Sequence, residues 1–210
     1  MEFIKTVMIG YKSMKKRFIR AIIILLLVLI ILSGINKANA ITRVDLDFIQ
    51  IAVNHVDEMF YINELPLTYD EQLFIYYHSI TNNLPYELVL GVIKLESNFD
   101  KDIVSHTNDY GIMQININYV DWYAELAELE DYSILDFHDN VLMGIGGLSF
   151  YMTYYKSLEV CDTLLWEYVL NSYNMGINGY NRYIRNTQQY SRAYSRIILE
   201  NKLDFKERGN

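Results

Sequence analysis

Leu88-Val89-Leu90-Gly91-Val92-Ile93-Lys94-Leu95-Glu96-Ser97-Asn98-Phe99 is an apolar helical stretch that ends on an acid. At about 100° per residue, Val89, Val92, Ile93 and Glu96 share one face, and that face is the one a fold must bury. A buried, unpaired carboxylate resists ionisation, so its pKa rises. Such a group is suited to give up a proton near neutral pH. The same spacing also fits a glutamate paired in the interior or solvated at a frayed helix end, and helical phase alone does not separate these readings.

Working outward, the two prolines, Pro66 and Pro85, each stand at the entrance of a helical pattern. Thr68-Tyr69-Asp70-Glu71 has the form of a capping box, and Leu73, Phe74, Tyr77 and Ile80 come after it at helical spacing. Asn82-Asn83-Leu84 breaks that helix, and Pro85 suits the first position of the next. Residues 45–59 carry Phe48, Ile49, Ile51, Ala52 and Val56 as a further amphipathic helix. From residue 100 to 118 the helical period fails. Tyr110-Gly111-Ile112-Met113-Gln114-Ile115-Asn116-Ile117-Asn118 alternates instead, as a small strand or hairpin does. Helical patterning resumes over residues 139–156, 163–173 and 188–199. The expected fold class is mainly α, with a small β or irregular excursion just after Glu96, so that the acid lines a cleft wall.

The chain of 210 residues is 51% apolar and 21% charged, which suits one packed domain rather than a disordered chain. Lys12, Lys15, Lys16, Arg17 and Arg20 precede an apolar stretch of roughly 12 residues (21–32), and Ala38-Asn39-Ala40 comes next. Residues 1–40 therefore read as a secretory signal peptide, with an uncleaved anchor as the alternative. Only in that alternative is a membrane a partner. The first 40 residues hold seven Lys or Arg and one acid; the remainder keeps 11 basic and 25 acidic side chains, a net charge near −14. A body this acidic has no general phosphate-binding footprint and excludes nucleic acid as a partner. Cys161, the sole cysteine, has no intramolecular disulfide partner and reads as a small buried hydrophobe. With it and four scattered His, no metal site is expected.

Five blocks occur in order along the chain: Glu96-Ser97-Asn98-Phe99, Ser105, Gly111-Ile112-Met113-Gln114-Ile115, Asn140-Val141-Leu142-Met143-Gly144, and Ser172-Tyr173-Asn174-Met175-Gly176. The series resembles the lytic transglycosylases of the soluble-transglycosylase, goose-type lysozyme-like group. Their pattern runs E-S-x-F/W, a Ser, G-L-M-Q-I, N-I-x-x-G and A-Y-N-A-G. The resemblance covers roughly residues 68–200, leaving residues 41–67 as an N-terminal helical extension and 201–210 as a tail.

The resemblance implies a lysozyme-like helical domain whose cleft takes the glycan strand of peptidoglycan, without a cofactor. It implies that Glu96 is the sole catalytic carboxylate, acid first and base second, producing a 1,6-anhydro-muramoyl end. Ser105, Met113, Gln114, Tyr173, Asn174 and Tyr194 match family positions that line the cleft and bind substrate. Such domains are secreted, periplasmic or cell-wall associated. They serve wall remodelling, secretion or conjugation machinery, or phage entry, and these residues do not choose among those settings.

Three departures stand out. Gly147 occupies a position where many relatives have Tyr. Met175, Ile177 and Asn178 replace Ala, Pro and the second Gly of the late block, with Asn178 suited to keep a left-handed turn. Asn108 and Tyr110 replace small residues before Gly111. An ordinary glycosidase needs a second carboxylate about 5–9.5 Å from the first; Asp100, Asp102 and Asp109 are the nearby candidates, Asp109 foremost. Hydrolysis by a muramidase of the same fold, and a non-catalytic wall-binding role, are the alternatives. Arg182, Arg185, Arg192 and Arg196 gather in an otherwise acidic chain, either as a solvated face or as partners for peptide-stem carboxylates.

Overall fold

The structure, a computed structural model, describes residues 60–208. The helices and hairpin that build the site belong to one compact unit that begins at Tyr61. The expected signal peptide and the expected helix at 45–59 lie outside the described residues. Residues 61–67, expected as part of a helical extension, form turns.

Helix α1 (Tyr69–Thr81) starts at the expected capping box: the Glu71 amide donates to Thr68 Oγ1 at 3.3 Å and the Thr68 amide to Glu71 Oε2 at 2.8 Å. Its buried face differs from the expected one. Leu73, Tyr77 and Ile80 are exposed, while Gln72, Ile75 and Ser79 are buried. Gln72 is inside because its amide satisfies the turn before the helix: it donates to the Ile62 carbonyl at 3.0 Å and accepts from the Ile62 amide at 2.9 Å.

Helix α2 (Tyr86–Ser97) has Pro85 as its N-cap, one place outside the expected first turn. Leu88, Val89, Leu90, Val92 and Ile93 are all fully buried, so α2 is hydrophobic all round rather than amphipathic. It ends on two left-handed residues, Asn98 (φ 51°) and Phe99 (φ 68°). Buried Ser97 pins this turn, donating to the Ile93 carbonyl at 3.0 Å and accepting from the Phe99 amide at 3.1 Å.

The excursion is a minimal antiparallel hairpin, β1 (Asp109–Tyr110) and β2 (Ile115–Asn116), with Asp109 opposite Asn116 and Tyr110 opposite Ile115. A 3-10 turn leads into α3 (Val120–Ala127), a helix the periodicity did not reveal. Then come α4 (Phe137–Ser157), α5 (Asp162–Thr187) and α6 (Ala193–Arg208). Residues 201–208, expected as a tail, continue α6 and bury Phe205 against Phe99, ring centroids 6.2 Å apart. Cys161 is exposed before α5 rather than buried. Its carbonyl accepts the first two amide bonds of that helix, from Leu164 and Leu165 at 3.0 Å each.

Two backbone features bring the site together. A Cβ on Gly91 would stand 2.8 Å from the Ile198 carbonyl, so glycine lets α6 press against α2. Within α5 the chain kinks at Gly176 (φ 72°, ψ 161°), a region open essentially to glycine alone. Asn178, expected to hold the left-handed turn, lies in the helix beyond the kink.

Candidate active site

Glu96 occupies the last turn of α2, half-buried. It is not unpaired as its spacing suggested: the Tyr194 hydroxyl, from the first turn of α6, donates to its Oε1. Its pKa is raised to about 7: burial pushes it up most, the Tyr194 bond pulls it back, and the negative charge of Asp109 adds to the rise. Near neutrality the group is present both as acid and as base. The Tyr194 hydroxyl in turn is held well above its ordinary pKa, first by burial and then by the Glu96 charge, so it stays a donor.

The hairpin facing Glu96 is held by Asn140 of α4. Its side chain accepts from the Met113 amide at 2.8 Å and donates to the carbonyls of Tyr110 and Ile134 at 2.9 and 2.8 Å. Gly111 has φ 72°, and a Cβ there would meet the Asn140 amide at 2.6 Å. One turn further along α4, a Cβ on Gly144 would meet Met113 Sδ at 2.3 Å. The Gly-Ile-Met-Gln-Ile and Asn-Val-Leu-Met-Gly blocks are thus two halves of one lock. Met113 is fully buried inside that lock, which makes it the floor of the hairpin rather than an open cleft contact.

Ser105 and Asp109 form a second knot. Asp109 accepts from Ser105 Oγ at 2.8 Å and from Asn116 Nδ2 at 2.7 Å, and Thr107 donates to it as well. Burial disfavours its charge, but the bonds from Thr107, Asn116 and Ser105 outweigh that and hold its carboxyl below the usual range. Gln114 sits at φ 51° in the turn between the strands, not on a strand as expected, and donates to the Gly111 carbonyl at 2.9 Å.

Tyr173, buried on α5 before the kink, donates its hydroxyl to the Met113 carbonyl at 2.8 Å and so ties α5 to the hairpin. Asn174 is exposed and accepts from Arg192 at 3.0 Å. Glu96, Tyr194, Tyr173 and the hairpin residues therefore converge. Ser105 and Gln114 enter through bonds within the hairpin loop, and Asn174 lies on the α5 rim.

Several residues were missed in the sequence. Asn140 opens one of the five blocks, but its bonding role shows only in three dimensions. Tyr123, on the unforeseen α3, lies over Gly147, where a Cβ would stand 2.4 Å from its ring. Its ring centroid is 6.3 Å from that of Tyr173. A tyrosine ring thus fills the space that the Gly147 departure leaves open.

A family model described as Transglycosylase SLT domain matches residues 74–195, more than half of the chain. The chain belongs to the transglycosylase SLT domain family. No curated protein sequence matches it. The 70-kDa soluble lytic transglycosylase of Escherichia coli superposes with a TM-score of 0.56 at 16% identity, covering 75% of this chain and 26% of that one. An inactive Glu-to-Gln mutant of the lytic transglycosylase Slt of Pseudomonas aeruginosa gives 0.55 at 14%, covering 68% and 24%. The Escherichia coli enzyme in complex with bulgecin A matches equally, at 0.56 and 16% identity, with coverage of 75% and 26%. The SLT chain spans about a quarter of the length of these proteins, and the likeness establishes its lysozyme-like, mainly helical fold. Among the described residues of this SLT protein, no group of three or more His, Cys, Asp or Glu is arranged to hold a metal, and no helix is long and apolar enough to cross a membrane.

Proposed function

We propose that this protein is an exported lytic transglycosylase that cuts the β-1,4 bond between N-acetylmuramic acid and N-acetylglucosamine in peptidoglycan. The observation that carries the reading is Glu96 itself: a carboxyl poised at a pKa of about 7, bonded by Tyr194, beside a locked hairpin. Protonated Glu96 gives its proton to the glycosidic oxygen as the bond to the muramoyl C1 breaks. The substrate's own 2-acetamido group supports the positive charge that develops there. Glu96, now a carboxylate, takes the proton of the muramoyl C6 hydroxyl, whose oxygen bonds to C1 and closes the 1,6-anhydro ring. One carboxyl is used twice and ends as it began, matching the near-neutral pKa.

Tyr194 steadies the Glu96 carboxylate when it is the base. Tyr173 and Asn140 fix the hairpin, with Met113 as its floor, and Ser105, Gln114 and Asn174 present polar groups to the sugars. The bonding of Asp109 favours this reading over hydrolysis. A second carboxylate acting as nucleophile or base needs free lone pairs toward the sugar, and Ser105, Thr107 and Asn116 engage three of the roughly four lone pairs of Asp109.

Mass spectrometry of digested cell wall tests the proposal. Anhydro-muropeptides are expected, and they are expected to vanish with Glu96→Gln. Reducing-end products would instead establish a muramidase. Binding of glycan strands without cleavage would establish a wall-binding protein.

A further inference from the structure

Residues 182–199 carry four arginines and no acid, in a chain of net charge −8. Arg182, Arg185 and Arg196 are exposed and serve as ordinary solvated cations. Arg192 differs. It is half-buried, its Nη1 donates to Asn174 Oδ1 at 3.0 Å and touches Met175 Sδ at 3.5 Å, and its guanidinium lies 5.3 Å from the centre of the Tyr183 ring. These contacts aim the planar cation without neutralising it, and among the described residues no carboxylate pairs with it. Holding an unpaired guanidinium partly out of water is unfavourable. Its place just before α6 adds nothing, since the amino end of a helix disfavours positive charge. Two residues further on, Tyr194 bonds Glu96. An oriented and uncompensated cation therefore stands on the rim, within a helical turn of the residue that grips the acid.

The glycan backbone offers Arg192 only hydroxyls and neutral acetamides. Negative charge close to the bond being cut comes from the peptide stem borne by the muramoyl lactyl group. Resting on the glycan-cleaving reading above, we propose that Arg192 is the recognition point for a carboxylate of that peptide stem, with Asn174 and Tyr183 setting its orientation. A carboxylate is the planar, two-oxygen acceptor that a guanidinium fork matches and an ammonium does not.

The test compares the full chain on two substrates: glycan strands bearing their stems, and the same strands stripped by an amidase, with the lactyl carboxylates that the amidase frees then converted to amides. The wild type is expected to show kcat/KM about 10-fold higher on the stem-bearing strands, as one charge-assisted bond provides. Arg192→Ala is expected to bring the ratio near one by losing rate only on stem-bearing strands. Arg192→Lys is expected to keep part of the preference. Arg196→Ala removes the same charge from the same segment and is expected to leave the ratio unchanged. A wild type that cuts both substrates equally overturns the proposal. So does an equal loss on both with Arg192→Ala, or an equal loss of preference with Arg196→Ala. A wild type that cuts neither substrate overturns the glycan-cleaving reading itself.

Discussion

The hairpin side of the site is fixed by two asparagines, a serine, two glycines and main-chain bonds, whereas the α5–α6 side is held by tyrosine hydroxyls and an arginine. On the first side, Asn140, Gly111 and Gly144 leave no slack around Met113, and Ser105 and Asn116 fasten Asp109. On the second, α5 kinks at Gly176, and Tyr194 and Arg192 reach the site from the start of α6 and the residue before it. The contrast separates two tasks. One wall supplies a rigid floor and a fixed negative charge; the other supplies the donors that adjust the acid. Glu96, at the end of the central helix α2, is where they meet.

The largest effect is expected from removing the meeting point. Glu96→Gln should lower cleavage by about 10²–10⁴-fold, the usual contribution of a positioned acid or base. The same change should stabilise the fold at alkaline pH. Glu96 has its pKa raised from 4.5 to about 7, so the stability it contributes is complete below 4.5 and is lost as pH rises through 7. An amide does not ionise, so above pH 7 the variant should be more stable, by on the order of 2 kcal/mol. Denaturant unfolding at pH 5 and pH 8 checks this; equal stability gaps at both would mean that Glu96 is not desolvated.

Breaking the rigid wall comes next. Asn140→Ala removes three bonds at a residue 1% exposed, among them the acceptor of the Met113 amide. A loss of about 3 kcal/mol is expected. The matching change on the other wall, Tyr194→Phe, should cost only about 1 kcal/mol, since it removes one bond and keeps the ring. Equal losses in the two unfolding curves would erase the distinction between the walls.

Activity against pH sharpens the comparison further, because the two walls act on Glu96 with opposite sign. The alkaline limb of kcat/KM should track loss of the acid form near pH 7. Tyr194→Phe removes a bond that favours the carboxylate, so the limb should move to higher pH. Asp109→Asn removes a charge that disfavours it, so the limb should move lower. Shifts in the same direction would mean that the two walls do not oppose each other at Glu96.

The fold class, the capping box and the order of the blocks were legible because each depends on local spacing. The cause of the Glu96 pKa was legible only in part. Helical phase pointed to burial, yet α2 is buried all round, so phase carried less information than its pattern suggested, and the Tyr194 bond spans 98 residues. Helix α3 was hidden because Val120, Tyr123, Ala124 and Leu126 form too short a series to show a period. The buried face of α1 was hidden because a polar side chain that satisfies main-chain groups, as Gln72 does, can be buried as deeply as a leucine. The place of Gly147 was hidden for the same kind of reason: the ring that fills its space comes from another helix.

The smallest expected effect tests that last point. In an open helical position Gly147→Ala would be stabilising by about 1 kcal/mol through helix propensity alone. Here the new methyl would stand 2.4 Å from the Tyr123 ring, so the ring must move, and overpacking of this kind costs about 1–3 kcal/mol. The balance is a net loss of about 1 kcal/mol. Tyr123 packs on Tyr173, which holds the Met113 carbonyl, so the displacement reaches the hairpin wall through Tyr173 of the other. Pairing Gly147→Ala with Tyr123→Leu should relieve the collision and recover the stability that the single change loses. If the pair is no more stable than the sum of its parts, Tyr123 is not what Gly147 makes room for.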